Sequence, residues 1–211
     1  MKTRIITAIV ALLVFVPVLY FSDTWVFPIM MGVIAAFAGH EMASAAGMGK
    51  KLYISLPAAL FCFLVTVTAR VRDIAPSVLP SSIPRSFAVL ALSLLFLFYL
   101  LCICVFTFPK VSARDILTVF ALTMFAGFAF YSFVIVQSFA PYDYLLILIA
   151  AWATDTFAIF GGKFFGKKKL APKLSPKKTV AGMISGVVGA VVGFLVYNIV
   201  VSLCFGSEVN Y

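Results

Sequence analysis

Charge is what this sequence has least of: 11% of its 211 residues are Asp, Glu, Lys or Arg, against about a quarter in a soluble domain. A water-solvated globule is excluded. Its four cysteines, Cys62, Cys102, Cys104 and Cys204, contain no C-x-x-C pair and all lie in hydrophobic runs, so they read as apolar packing residues. Cys102 and Cys104, two apart on a helix, point to different faces, which argues against a metal pair. Continuous runs such as Phe87 to Phe108 lack the period-2 alternation that a membrane β-barrel requires. No A-x-A cleavage site follows the first apolar run, Ile5 to Phe21, so it reads as a retained helix and not a removed signal peptide. A detached basic domain and a basic-aromatic module are both missing, which leaves no reason to expect nucleic acid as a partner. No polar interval is long enough to be a soluble domain, and no internal repeat supports an inverted-repeat transporter.

What is abundant is hydrocarbon: 64% of the residues are hydrophobic and the mean hydropathy is +1.17. The apolar residues form blocks of roughly 17 to 25, close to the ~20 that a helix needs to cross ~30 Å of bilayer core. The expected fold is all-α, a polytopic membrane helical bundle of about seven transmembrane helices. The candidate spans are Ile5 to Phe21, Trp25 to Phe37 with an extension toward Ala46, Leu52 to Ala69, Phe87 to Phe108, Ile116 to Phe139, Tyr144 to Phe160 and Val180 to Phe205. Alternating sides from a cytoplasmic N-terminus places 13 of the 16 basic residues on one face and only Arg70, Arg72 and Arg85 opposite. By the positive-inside rule that face is cytoplasmic. The stretch from Arg70 to Ser86, with Pro76, Pro80 and Pro84, reads as an ordered external loop. His40 and Glu41, near the end of the second helix, point about 100° apart and read as interfacial residues, not a catalytic pair.

One segment departs from this pattern. Asp155 stands in an otherwise apolar span between Thr154 and Thr156, about two turns before the helix is expected to leave the membrane near Gly161 and Gly162. A carboxylate there costs roughly 2.5–3.5 kcal/mol on insertion scales, so either a cation in a wet cavity or an interfacial aspartate is expected. Seven lysines follow between Lys163 and Lys178 with no acidic residue among them. The glycines and prolines that interrupt them favour a shaped loop over a solvated tail. Ser175 is the expected N-cap of the last helix with Pro176 at its first position, which would put Lys177 and Lys178 beside unpaired backbone N–H groups as an anion site. Lys169 falls in a looser run where neighbours can substitute for it. Small residues recur along the last helix: Gly182, Gly186 and Ala190 on one face, Ser185, Gly189 and Gly193 on the next. Such a stripe serves either a homodimer or close packing against the Asp155 helix, and the second is more economical.

Trp152, Asp155, Thr156, Gly161 or Gly162, Lys163, Phe165, Gly166, Lys168, Leu170 and Pro172, followed by S-P-K-K-T at 175–179 and by Gly182, resemble the conserved core of the phosphatidate cytidylyltransferases, or CDP-diacylglycerol synthases. The resemblance implies one membrane domain over 1–211, with N-terminal helices in 1–143 and a partial catalytic core in 144–205 whose lysine-rich loop, 161–179, is cytoplasmic. It implies CTP and phosphatidic acid as substrates, CDP-diacylglycerol and pyrophosphate as products, the inner (plasma) membrane as the location and Mg²⁺ as cofactor. Asp155 would be the metal ligand, and Asp155 and Lys178 the catalytic residues. Lys163, Lys168, Ser175, Lys177, Lys178 and Thr179 would bind substrate. Members of that family carry a further signature, with S-x-x-K-R, K-D and H-G-G-x-x-D-R-x-D elements, which has no counterpart here; the expectation is a truncated form or carboxylates supplied from elsewhere. Rival readings are a CTP-dependent polyprenol kinase, a phosphate-ester transporter and a non-catalytic membrane subunit. Charges gathered at one face suit a one-sided active site better than a crossing path.

Overall fold

The computed structural model of the protein describes residues 13, 15–74, 84–139, 143–173 and 175–205. Six helices among them are long and apolar enough to cross a membrane. They are α1 (Val26–Ala45), α2 (Leu52–Ile74), α3 (Arg85–Thr107), α4 (Ala113–Phe139), α5 (Tyr144–Phe165) and α6 (Val180–Phe205). The protein is thus an all-α polytopic membrane protein. The expected first span lies largely outside the described residues, of which 15–20 are helical. The centre of the expected external loop, 75–83, lies outside them as well. Among the described residues a two-stranded hairpin, β1 (Lys169–Ala171) and β2 (Ser175–Thr179), is the one non-helical element, and it was not anticipated. The chain divides into two compact units, Met1–Phe139 and Ala140–Tyr211.

The first unit packs α1 to α4. α1 ends in a Schellman motif at Gly47, whose φ of 77° a side chain would strain. There the Met48 N–H donates to the Ala43 carbonyl at 2.8 Å and the Gly47 N–H to that of Ser44 at 2.9 Å, satisfying carbonyls that a helix end leaves orphaned. The tight reversal brings α1 against α2, and a Cβ on Gly39 would stand 2.7 Å from the Ala58 carbonyl oxygen. Phe61 of α2 stacks on Phe96 of α3 at 4.7 Å between ring centroids, and Phe96 meets Phe120 of α4 at 6.1 Å. Cys62 is buried in this core, as expected for an apolar packing residue.

Polar groups gather at the two ends of this unit. At one end Arg70 donates to Gln137 and Asp73 accepts from Arg85, while the Gln137 amide donates to Asp23 at 3.2 Å. At the other, the Lys51 ammonium donates to the Lys110 carbonyl at 2.9 Å, and Ser112 and Asp115 form a reciprocal capping box that starts α4. His40 and Glu41 belong to this unit, His40 half-buried and Glu41 exposed.

Pro57 lies inside α2 and has no N–H to donate to the Tyr53 carbonyl four residues earlier. The Tyr99 hydroxyl of α3 donates to that carbonyl instead, at 2.6 Å. Tyr99→Phe is therefore expected to remove the side-chain partner of this carbonyl near the helix start, at a cost of about 0.5–1.5 kcal/mol. Reversible unfolding in detergent, with a lower midpoint and unchanged helix content, checks this.

Candidate functional site: a lysine hairpin on a glycine-packed helix pair

The second unit is an antiparallel pair, α5 and α6, joined by the β1–β2 hairpin. Its seam is built from glycine. A Cβ on Gly186 would lie 3.2 Å from both the carbonyl oxygen and the Cγ2 of Thr154, and one on Gly182 would lie 2.9 Å from the Ala158 carbonyl oxygen. Gly189 is packed on Phe157, Gly193 on Ala153 and Gly161 on Ser185. The small-residue stripe of α6 therefore faces the Asp155 helix, the more economical of the two expected uses.

Gly161 and Gly162 do not end α5. They are packing positions inside it, and the helix runs on to Phe165, so the lysine loop spans 166–179 and not 161–179. Lys163 consequently sits in the last helical turn, where the helix dipole favours a cation.

Ser175 is not the N-cap of α6, and Lys177 and Lys178 are not in its first turn. Residues Ser175–Thr179 form β2, with Ala171 opposite Ser175 and Lys169 opposite Thr179 in an irregular antiparallel ladder. Strand pairing overrides the helix-start signal: an extended Ser175 before Pro176 suits a cap and a strand equally, and pairing with β1 satisfies backbone groups that a longer helix would have engaged. The cap is Thr179, whose Oγ1 accepts the Gly182 N–H at 3.1 Å. Lys169 is held in the ladder and is not part of a loose run.

This arrangement also changes the expected anion site. The Val180 N–H donates to the Lys168 carbonyl at 3.0 Å and that of Gly182 to Thr179, so the first turn of α6 is not an open cradle of free donors. Positive charge there comes from side chains. Lys163, Lys167, Lys168, Lys169, Lys173, Lys177 and Lys178 are all exposed, and among the described residues none joins an ion pair. Like charges held this close repel one another, and a polyanion would relieve the repulsion.

Of the expected site residues, the structure brings together Lys163, Lys168, Ser175, Lys177, Lys178 and Thr179 at one end of the helix pair. Ser175 is half-buried and Thr179 buried. Asp155 is not part of that cluster. It is exposed on α5 beside Thr154, which touches the seam, and lies eight residues, or ~12 Å along the axis, from Lys163. It is the sole carboxylate of α5, and no group of three or more His, Cys, Asp or Glu side chains capable of holding a metal occurs among the described residues. One carboxylate suits Mg²⁺ only where substrate phosphates complete the shell, as is common for this ion.

An apolar groove of about 350 Å³ runs along the seam past Ala153, Phe157, Gly189 and Gly193. Ala153 and Asp155 are about 200° apart around α5, so the groove flanks the helix on the side away from the carboxylate. Thr179 as the cap and the hairpin itself are what reading the sequence missed. The signal available was a threonine three residues before Gly182.

No curated protein matches this chain in sequence. The Cytidylyltransferase family, in contrast, matches residues 2–208. With nearly the whole chain covered and the lysine hairpin of the second unit inside the match, the protein belongs to the cytidylyltransferase family, which points to CTP-dependent nucleotidyl transfer by a chain with membrane-spanning helices.

Proposed function

We propose that this protein transfers the cytidylyl group of CTP to phosphatidic acid, giving CDP-diacylglycerol and pyrophosphate for phospholipid synthesis. The observation that carries the reading is the hairpin and the helix end beside it: seven exposed lysines, none in an ion pair among the described residues, at the end of a helix pair long enough to span a bilayer. Both reactants are anionic and one of them is a lipid. A phosphate oxygen of phosphatidic acid attacks the α-phosphorus of CTP, and the bond to the β-phosphate oxygen breaks as pyrophosphate leaves. Positioning and charge neutralisation dominate such a transfer.

Lys177 and Lys178, carried on the strand that the ladder orders, hold phosphates, with Lys163 and Lys168 beside them. Ser175 lies next to this array and can donate its hydroxyl. Asp155 would hold Mg²⁺ together with substrate phosphates, and the ion would supply charge neutralisation when bound. The hairpin is cytoplasmic, in the inner (plasma) membrane, where CTP is available.

Binding competition in detergent with Mg²⁺ tests the substrate. CTP is expected to displace a labelled cytidine nucleotide at least tenfold better than ATP. Equal displacement by every nucleotide would reduce the hairpin to a generic anion patch. Orientation is tested separately. Lys168→Cys, in a background lacking the native cysteines, is expected to resist an impermeant maleimide added to intact cells and to react once the membrane is opened. Labelling from outside would reverse the orientation and remove access to cytosolic CTP.

A further inference from the structure

We infer that Thr179 is a positioning residue, one that holds the lysine hairpin in a single orientation through its buried side chain and does not itself contact substrate. The inference rests on reading the hairpin as the phosphate-holding element. Thr179 is only 8% exposed, in contrast to the exposed lysines around it. Its Oγ1 accepts the Gly182 N–H and so starts α6. Three glycines form the seat. A Cβ on Gly162 or on Gly182 would stand 3.1 Å from the Thr179 hydroxyl oxygen, and one on Gly166 would stand 2.8 Å from both its hydroxyl and its methyl. Gly166 has φ −77°, which any residue can adopt, so contact with Thr179 and with the Gly162 carbonyl, not backbone strain, is what requires glycine there.

The lysines are tied to this seat through the backbone. Lys178 precedes Thr179 in β2, Lys169 lies opposite it across the ladder, and the Lys168 carbonyl accepts the N–H of Val180. One threonine thus fixes the end of α5, the start of α6 and the base of the hairpin. Without its hydroxyl, the Gly182 N–H would be buried and unpaired, the ordinary cost of a lost N-cap, and the strand carrying Lys177 and Lys178 would lose its fixed end.

The test uses the full chain in detergent and compares Thr179→Val, which keeps the shape and removes the hydroxyl, with Thr179→Ser, which keeps the cap. Amide hydrogen exchange without nucleotide is expected to quicken about tenfold or more over the hairpin and the first turn of α6 in the valine variant. The serine variant is expected to stay within about threefold, with the first unit unchanged in both. In transfer assays the valine variant is expected to raise KM for CTP about tenfold, and in a Lys178→Ala background to add little, because both changes act on one element. Unaltered exchange in the valine variant, equal exchange in both, or full additivity with Lys178→Ala would overturn the inference. If Thr179→Val does not insert, Thr179→Ala, which removes the hydroxyl and adds no bulk, must give the same exchange signature or the inference fails. The exchange result stands apart from the substrate. A chain that follows it yet binds CTP no better than ATP supports the positioning role and sinks the nucleotide reading alone.

Discussion

Asp155→Asn is expected to lower turnover by on the order of 100-fold or more while membrane insertion and helix content stay as they are. The substitution is nearly isosteric, and the residue is exposed on α5, so little packing is disturbed. What it removes is the one negative charge of that helix. If the carboxylate completes a Mg²⁺ shell with substrate phosphates, its loss forfeits several kcal/mol of charge stabilisation, which sets the scale of the rate loss. A second readout separates metal binding from a general defect. Mn²⁺ added with CTP is expected to bind the unaltered protein and to bind the asparagine variant far more weakly, as followed by the Mn²⁺ paramagnetic signal. Equal Mn²⁺ binding in both, with turnover within threefold, would make Asp155 an interfacial aspartate with no part in the site.

Lys178→Ala is expected to cost about 30- to 1000-fold in turnover, and Lys173→Ala less than about fivefold, although each removes one charge from the same hairpin. Lys178 stands in β2 next to the buried Thr179, so its backbone is fixed at one end by a cap and on one side by a ladder. Lys173 lies in the turn between the strands. A charge-assisted contact to phosphate in a site closed by substrate is worth about 2–4 kcal/mol, whereas a solvated loop charge is worth under ~1 kcal/mol. Lys169 is unsuitable as the comparison because it lies opposite Thr179 in the ladder. Small, equal losses in both variants would mean that the lysines act as a diffuse basic surface.

Several features of the fold could be read from single residues and their neighbours. The run from Leu52 begins where α2 begins, Tyr144 opens α5, and Val180 to Phe205 coincides with α6. Seven lysines within one polar interval marked the segment that the structure displays as an exposed basic cluster, and a carboxylate inside an apolar span singled out Asp155. The extension of α5 to Phe165 was not legible, and neither was the start of the α6 helix at the edge of its apolar span and not at Pro176. Gly161 and Gly162 look like helix stops when their partners are unknown, yet Ser185 and Thr179 pack on them and the helix continues. Ser175 and Thr179 are both acceptable caps, and the choice fell to Thr179 once β2 paired with β1.

The sequence by itself determined the solvent and the presence and approximate position of the described spanning helices. Each follows from transferring a local run of side chains between water and hydrocarbon, which depends on no distant partner. Only the tertiary structure decided that the glycine stripe of α6 faces α5, that the lysines ride on a hairpin and not on a helix end, and that a buried threonine closes the first turn. Those outcomes are set by what a missing Cβ allows to approach and by which backbone donors find an acceptor on another element, and neither is encoded in the run that contains them.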